Sequence, residues 1–208
     1  MLDPRNITVV ACEASNPSQV IGYAQFARLG NDEGAKRQIQ SRKSLWLWIL
    51  SWLLWAWAKV VVSWNLGDKS RDLNNLKTFE GWWAAEGPIY WDREDRKNRW
   101  HAQSVVVLEE FQGRGIGKRL MKEAIAWAEA ENVPVGLEAS EAGEKMYKSV
   151  GFELLARFSH VIDGDNGGYM LYTPKALRRK RVPEEEMLEA RRFESFKRMV
   201  LSSLPTEK

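Results

Sequence analysis

The chain has 208 residues, 44% of them apolar, and its 31 basic and 28 acidic residues leave a net charge of +3. That length buries one sizeable core and suits one domain, and the charge is too nearly balanced to imply a nucleic-acid partner. A single cysteine, Cys12, excludes an intramolecular disulfide framework and points to a reducing, cytoplasmic setting, while two histidines and one cysteine assemble no zinc spacing, so no metal is expected.

In chain order, Asn6-Ile7-Thr8 fits a glycosylation sequon by chance, with no signal peptide ahead of it. Ile7 to Cys12 reads as a strand, Ser15-Asn16-Pro17-Ser18 as a turn, and Gln19 to Arg28 as the returning strand, with Gly22 marking a bulge. Asp32 to Lys43 is polar. Ser44 to Trp64, SLWLWILSWLLWAWAKVVVSW, is almost wholly apolar and approaches the length of a bilayer span. Lys59 interrupts it, and its tryptophans occupy the middle rather than the ends, which counts against a simple span. On one continuous helix Arg37, Gln40, Ser44, Ser51, Lys59 and Ser63 would form a polar stripe. Such a helix can lie in a membrane interface, cover an exposed sheet face, or pack against its copy in a dimer. Gly67-Asp68-Lys69-Ser70 breaks it, Leu73 to Ala85 suits a second helix ended by Gly87-Pro88, and Asp92 to Arg99 reads as a solvated charged loop.

The chain is organised around Ser104 to Gly117, SVVVLEEFQGRGIG. Ser104 to Leu108 is a β-branched run of strand length. After Gly117 the period changes: Ile116, Leu120, Ala124 and Ala128 fall four apart, with Met121 and Ile125 widening that face, so a helix runs to about Ala130. Glycines at 113, 115 and 117 allow a tight turn, and a helix N-terminus behind it is a phosphate site. A Walker loop is excluded, because Gln112 stands at its first glycine position and Arg119 follows Lys118. A Rossmann fingerprint counted from Gly113 fails at Lys118.

The remaining pattern, Gln112-Gly113-Arg114-Gly115-Ile116-Gly117 read as Q-x-x-G-x-G, resembles the pyrophosphate signature of the GNAT superfamily of acetyl-CoA-dependent N-acetyltransferases. Downstream, Pro134 to Ser140 reads as the next strand, and Glu144 to Phe152 resembles the family's helix ending in Y-x-x-x-G-F. The resemblance is good from about Trp100 to Phe158, fair over Ile7 to Arg28, and absent elsewhere. It implies an α/β (α+β) GNAT fold, a mixed central sheet flanked by helices, here with a Trp-rich helical insertion. The domain is then 1–175, with the insertion at 30–99 and the core motif at 100–158, followed by a C-terminal helical extension at 176–208. The family's earlier strand and acceptor-lining helices have no counterpart ahead of Ile7: either the start is truncated or a later segment fills that space.

The resemblance also implies roles. The backbone of Val105, Val106 and Val107 would pair with the pantetheine arm of acetyl-CoA, and amides from Gln112, Gly113, Arg114, Gly115, Ile116, Gly117 and Lys118 would hold its pyrophosphate. Arg119 has the charge to assist. Ser140 stands where many relatives carry a pantetheine-contacting Asn, and Tyr147 stands where the family places the acid that protonates the leaving thiolate. For the base, Glu138 at the end of its strand and His101, sharing a strand face with Val105, are the two candidates. The implied reaction is direct acetyl transfer to an amine, a small molecule by preference. A non-catalytic CoA-binding module and a membrane-peripheral acyltransferase anchored by 44–64 are the alternatives, and a homodimer stays open.

Beyond Phe152, Glu153 to Val161 and Tyr169 to Thr173 read as strands around the loop Asp163 to Gly168, which lacks the calcium pattern. Pro183 followed by three glutamates starts a C-terminal helix, and Arg178 to Arg181 reads as a solvated linker, with an address or a patch for anions as the alternatives.

Overall fold

In the computed structural model, residues 3–63, 81, 84–159 and 166–178 are described. The expected helix from Leu73 and the C-terminal helix from Pro183 therefore lie wholly or mostly outside the described residues, as do the first half of the loop at 163–168 and the end of the strand expected to reach Val161.

Strands β1 (Asn6–Cys12) and β2 (Val20–Leu29) form the expected antiparallel hairpin. Its register slips between Ala11 and Cys12, opposite Gly22 and Val20, so the bulge sits beside Gly22. Three helices follow: α1 (Glu33–Arg42), α2 (Leu45–Ser63) and α3 (84–91). Next come β3 (Arg99–Val107), a short 3-10 turn (Glu109–Phe111), α4 (Ile116–Glu131), β4 (Val135–Ala139), α5 (Glu141–Lys148), β5 (Glu153–Arg157), β6 (Gly168–Tyr172) and α6 (Lys175–Arg178). The sheet order is β1-β2-β3-β4-β6-β5. Only β3–β4 is parallel, and α4 makes that crossover.

Alternation along the strands separates two cores. Phe26, Trp100, Ala102, Val135, Leu137, Met170 and Tyr172 meet the buried face of α4, Ile116, Leu120, Met121, Ala124 and Ala128, as its periodicity predicts. On the other face Ile89, Tyr90 and Trp91 of α3 pack with Tyr169 and Leu171. The insertion thus covers the second face of the sheet through α3.

Three expectations change here. The helix does not end at Gly87-Pro88 but continues to residue 91, where Ile89, Tyr90 and Trp91 are all buried. Their burial outweighs the hydrogen bond that Pro88 cannot donate. Asp92 to Arg99 is not simply a solvated loop, because Arg96 and Arg99 are buried and Arg99 opens β3. The polar stripe on a continuous helix is also broken. Residues 43 and 44 interrupt it, and α1 meets the apolar helix at 82°, so Arg37 and Gln40 do not share a face with Ser51.

Arg28 closes the frame. Fully buried, its guanidinium reaches Glu131 at the end of α4 (2.8 Å) and Asp32 (2.5 Å), the residue whose carboxylate caps α1 at Ala35. Glu131 also accepts from the Trp100 indole at 3.1 Å.

Candidate active site

The site is a gap that the sheet itself creates. Along its whole length β3 pairs with β2, but with β4 it pairs only at Trp100, His101 and Ala102. Between Ala102 and Ser104 the β2 register slips, leaving Gln103 as the extra residue of a bulge. Beyond it Val105, Val106 and Val107 keep β2 on one edge and have no paired strand on the other among the described residues. That edge offers backbone groups to an extended ligand.

At the mouth of the gap the chain turns through Gln112 to Gly115. Gln112 donates its side-chain amide to the Val107 carbonyl at 3.1 Å, which ties the turn to the end of β3. Gly113 and Gly115 take φ of 72° and 76°, where a side chain would be strained, and a Cβ on either would meet nothing within 4 Å. The glycines therefore serve backbone direction rather than packing. Amides from Gly113 to Lys118 make no backbone hydrogen bond among the described residues, and the first helical bond runs from Arg119 to Gly115. This is an open cluster of donors at a helix N-terminus, suited to a phosphate group. Lys118 and Arg119 are exposed and make no ion pair among the described residues. Arg114 instead folds back, donating to the Glu110 carbonyl at 2.9 Å and stacking on Phe111.

The bulge corrects one expectation. His101 does not share a face with Val105: Trp100, Ala102, Val105 and Val107 all meet the α4 core, so the extra residue reverses the alternation. His101 points to the opposite side, edge-on to Trp91. There it meets Glu138, with Nε2 3.0 Å from Oε2. The two residues expected as rival bases form one pair.

Two residues that the sequence reading passed over complete this cluster. The Trp91 indole donates to Glu138 Oε1 at 2.7 Å, and Arg99 Nε approaches His101 Nδ1 at 3.4 Å. A guanidinium can only donate, so Nδ1 accepts from Arg99 and Nε2 is the ring nitrogen that donates to Glu138. Burial pulls the Arg99 guanidinium down to about 10, with Glu138 and Asp92 opposing that shift. For Glu138, burial pushes the carboxyl upward, but hydrogen bonds from His101 and Trp91 and the charge of Arg99 outweigh it, so it lies below its usual range. Trp91 reaches this position because Gly136 lies beneath it: a Cβ there would stand 2.6 Å from the indole ring. The signal was present in the apolar run Ile89-Tyr90-Trp91, which the preceding Gly87-Pro88 disguised as a loop.

Tyr147 lies on α5, beside Met146, whose methyl a Cβ on Gly117 would meet at 3.5 Å. α5 therefore abuts the first turn of α4. The Tyr147 ring meets Phe152 edge-on, burial raises its phenol, and its hydroxyl has no hydrogen-bond partner among the described residues. Ser140 caps α5, accepting from the Gly143 amide at 3.2 Å. A cleft of about 310 Å³ lined by Gly30, Asn31, Asp32, Lys97 and Asn98 lies at the other end of β3, where Leu29 pairs with Arg99, away from these groups. Among the described residues no cluster of His, Cys, Asp and Glu can hold a metal ion.

Residues 79–154, from before α3 into β5, match the acetyltransferase (GNAT) domain. That match covers the sheet's parting and the glycine turn, so this part of the chain is similar to a GNAT acetyltransferase domain. An uncharacterized N-acetyltransferase of Schizosaccharomyces pombe is 25% identical over 181 residues, covering 87% of this chain and 72% of the relative. Among solved structures, Arabidopsis thaliana NAA60 with a bisubstrate analogue is 13% identical with a TM-score of 0.45, over 82% of this chain and 76% of that one. A putative streptothricin acetyltransferase from Bacillus anthracis with acetyl coenzyme A is 14% identical with a TM-score of 0.42, over 83% and 65%.

Proposed function

We propose that this chain transfers acetyl directly from acetyl-CoA to an amine on a small molecule, with Tyr147 as general acid and Glu138 as general base. The observation that carries the reading is the parting of β3 and β4 beyond Ala102, with the glycine turn at its mouth. The free edge at Val105 to Val107 pairs with the amide-bearing pantetheine arm, and the amides of Gly113 to Lys118 take the pyrophosphate. Lys118 and Arg119 add positive charge there, while the Ser140 hydroxyl is engaged in capping α5 rather than in contacting the pantetheine arm.

Transfer requires a neutral nitrogen, a C–N bond formed as the C–S bond breaks, and a destination for one proton at each end. Glu138 is ionised at neutral pH and takes the proton from the amine. His101, held by Arg99, orients that carboxylate and supports its charge. The departing sulfur takes its proton from Tyr147, whose raised phenol stays protonated.

The test is calorimetric titration with acetyl-CoA followed by thiol release against small amines and peptide N-termini. Binding with release on small amines is the expected result. Release only with peptides would overturn the small-molecule assignment, and binding without release from any amine would leave a CoA-binding module in place of the enzyme.

A further inference from the structure

Helix α2 leaves its apolar surface in water. Leu45, Trp46, Leu47 and Trp48 are four consecutive residues, so they point to every side of the helix, and all are exposed, Trp46 at 79% and Trp48 at 67%. Trp52, Trp55 and Trp57 continue this further along. A helix that is apolar all round belongs inside an apolar phase. A second copy of the chain would cover one stripe and leave the opposite side wet, whereas lipid covers every side but one.

The sheet decides how such a helix can enter lipid. The excursion that contains α2 leaves β2 at Leu29 and returns to β3 at Arg99, and those two residues are register partners. Both ends of the excursion are thereby tied to one rung of one sheet, on one side of any membrane. A single crossing would need a second to return, but the sequence between α2 and α3 carries Asp68, Lys69, Arg71, Asp72, Lys77 and Glu80. Nor is any single helix among the described residues long and apolar enough to cross; only α1 with Leu45–Val61 passes as a bent pair. α1 is unavailable for that: Ala35 is buried, Arg42 donates to the Asn6 carbonyl at 2.9 Å, and Asp32 holds Arg28.

We infer that α2 is an in-plane anchor that seats this domain on an anionic membrane surface. The geometry suits that role, because α1 is fixed to the sheet, α2 bends from α1 by 82°, and the tryptophans of α2 are exposed. Tryptophan favours the headgroup boundary, and in a helix lying flat Trp48, Trp52 and Trp55, which share one side at helical spacing, sit at that depth. The charge is complementary: Lys36, Arg37, Arg42 and Lys43 lead into α2, and Lys59 lies over the Trp55 ring at its far end.

The test uses the full chain with vesicles of phosphatidylcholine alone or mixed with phosphatidylserine. Sedimentation with the mixed vesicles, weakened by salt, is expected. W48S/W52S/W57S should lower the partition coefficient by more than about tenfold while acetyl-CoA binding holds, since these side chains are exposed. A label on Trp52→Cys, in a Cys12→Ser background, should be quenched by lipids brominated near the headgroup. Quenching there only by lipids brominated at the chain ends would overturn the in-plane placement. A chain that ignores both vesicles, and sediments as a dimer split by the triple substitution, would replace lipid with a second copy.

Discussion

His101 and Glu138 stand on the two strands of the parallel β3–β4 pair, with Nε2 3.0 Å from Oε2, His101 within the last rungs and Glu138 one residue past Leu137, where those strands part. Removing the carboxylate's charge tests its role as base. Glu138→Gln keeps shape and one acceptor, so the fold and acetyl-CoA affinity should hold while kcat falls about 10²- to 10⁴-fold. An unchanged kcat would move the base elsewhere, to an ordered water or the acceptor itself.

Trp91 acts on that carboxylate from the insertion. Its indole is one of the donors that keep Glu138 ionised, so Trp91→Phe should shift the Glu138 titration upward, toward or past its ordinary 4.5. The sign follows from the lowered pKa. Charge on Glu138 supports the folded state above the unfolded pKa, and that contribution disappears as pH falls through the folded one. The variant should therefore lose stability at neutral pH and show less further loss on acidification. A carbon-13 titration of the Glu138 carboxyl reads the shift directly, and an unmoved midpoint would show that the indole contact does not tune the base.

Much of this arrangement was legible in the sequence, and the residues that escaped it did so for one physical reason. Local signals placed the hairpin, the 104–117 unit and the α5 motif, because period, turn chemistry and glycine position act over a few residues. The side to which His101 points depends on a single extra residue at Gln103, and no periodicity in the Val105 run announces a bulge upstream. Trp91 and Arg99 are set by contacts between distant segments: an indole over Gly136 and a guanidinium against His101. Pro88 carried the strongest local stop signal in that region, and tertiary burial of Ile89 to Trp91 overrode it.

Tyr147 offers a cleaner separation of chemistry from folding. Its hydroxyl has no hydrogen-bond partner among the described residues, so Tyr147→Phe should change stability by less than about 1 kcal/mol. Loss of kcat with acetyl-CoA affinity retained is the expected pattern. The raised phenol also places any alkaline limb above the ordinary 10, and that limb should vanish in the variant. Full activity in Tyr147→Phe would remove the acid assignment.

Gly115 tests the turn. Its φ of 76° lies in the left-handed region, and no neighbour would obstruct a Cβ, so Gly115→Ala acts through backbone strain alone. That strain is about 1–2 kcal/mol and is relieved by rotating the amides away from their shared direction. Acetyl-CoA affinity should fall by roughly tenfold, equivalent to about 1.4 kcal/mol, with secondary structure intact. Calorimetry would decide it, and wild-type affinity in the variant would place the pyrophosphate away from this helix end.

Arg28 carries the last prediction, which concerns the frame rather than the chemistry. Its buried guanidinium joins β2 to the end of α4 through Glu131 and to the start of α1 through Asp32. Arg28→Ala would leave two carboxylates without their cation and a void in the sheet. Both keep some solvent access, which places the loss near the lower end for a broken buried pair, about 3 kcal/mol. Arg28→Lys should recover only part of it, because an ammonium cannot fork to both partners. Denaturant midpoints for the two variants give the ranking, and an alanine variant as stable as the parent would mean that the three-way contact contributes nothing to the fold.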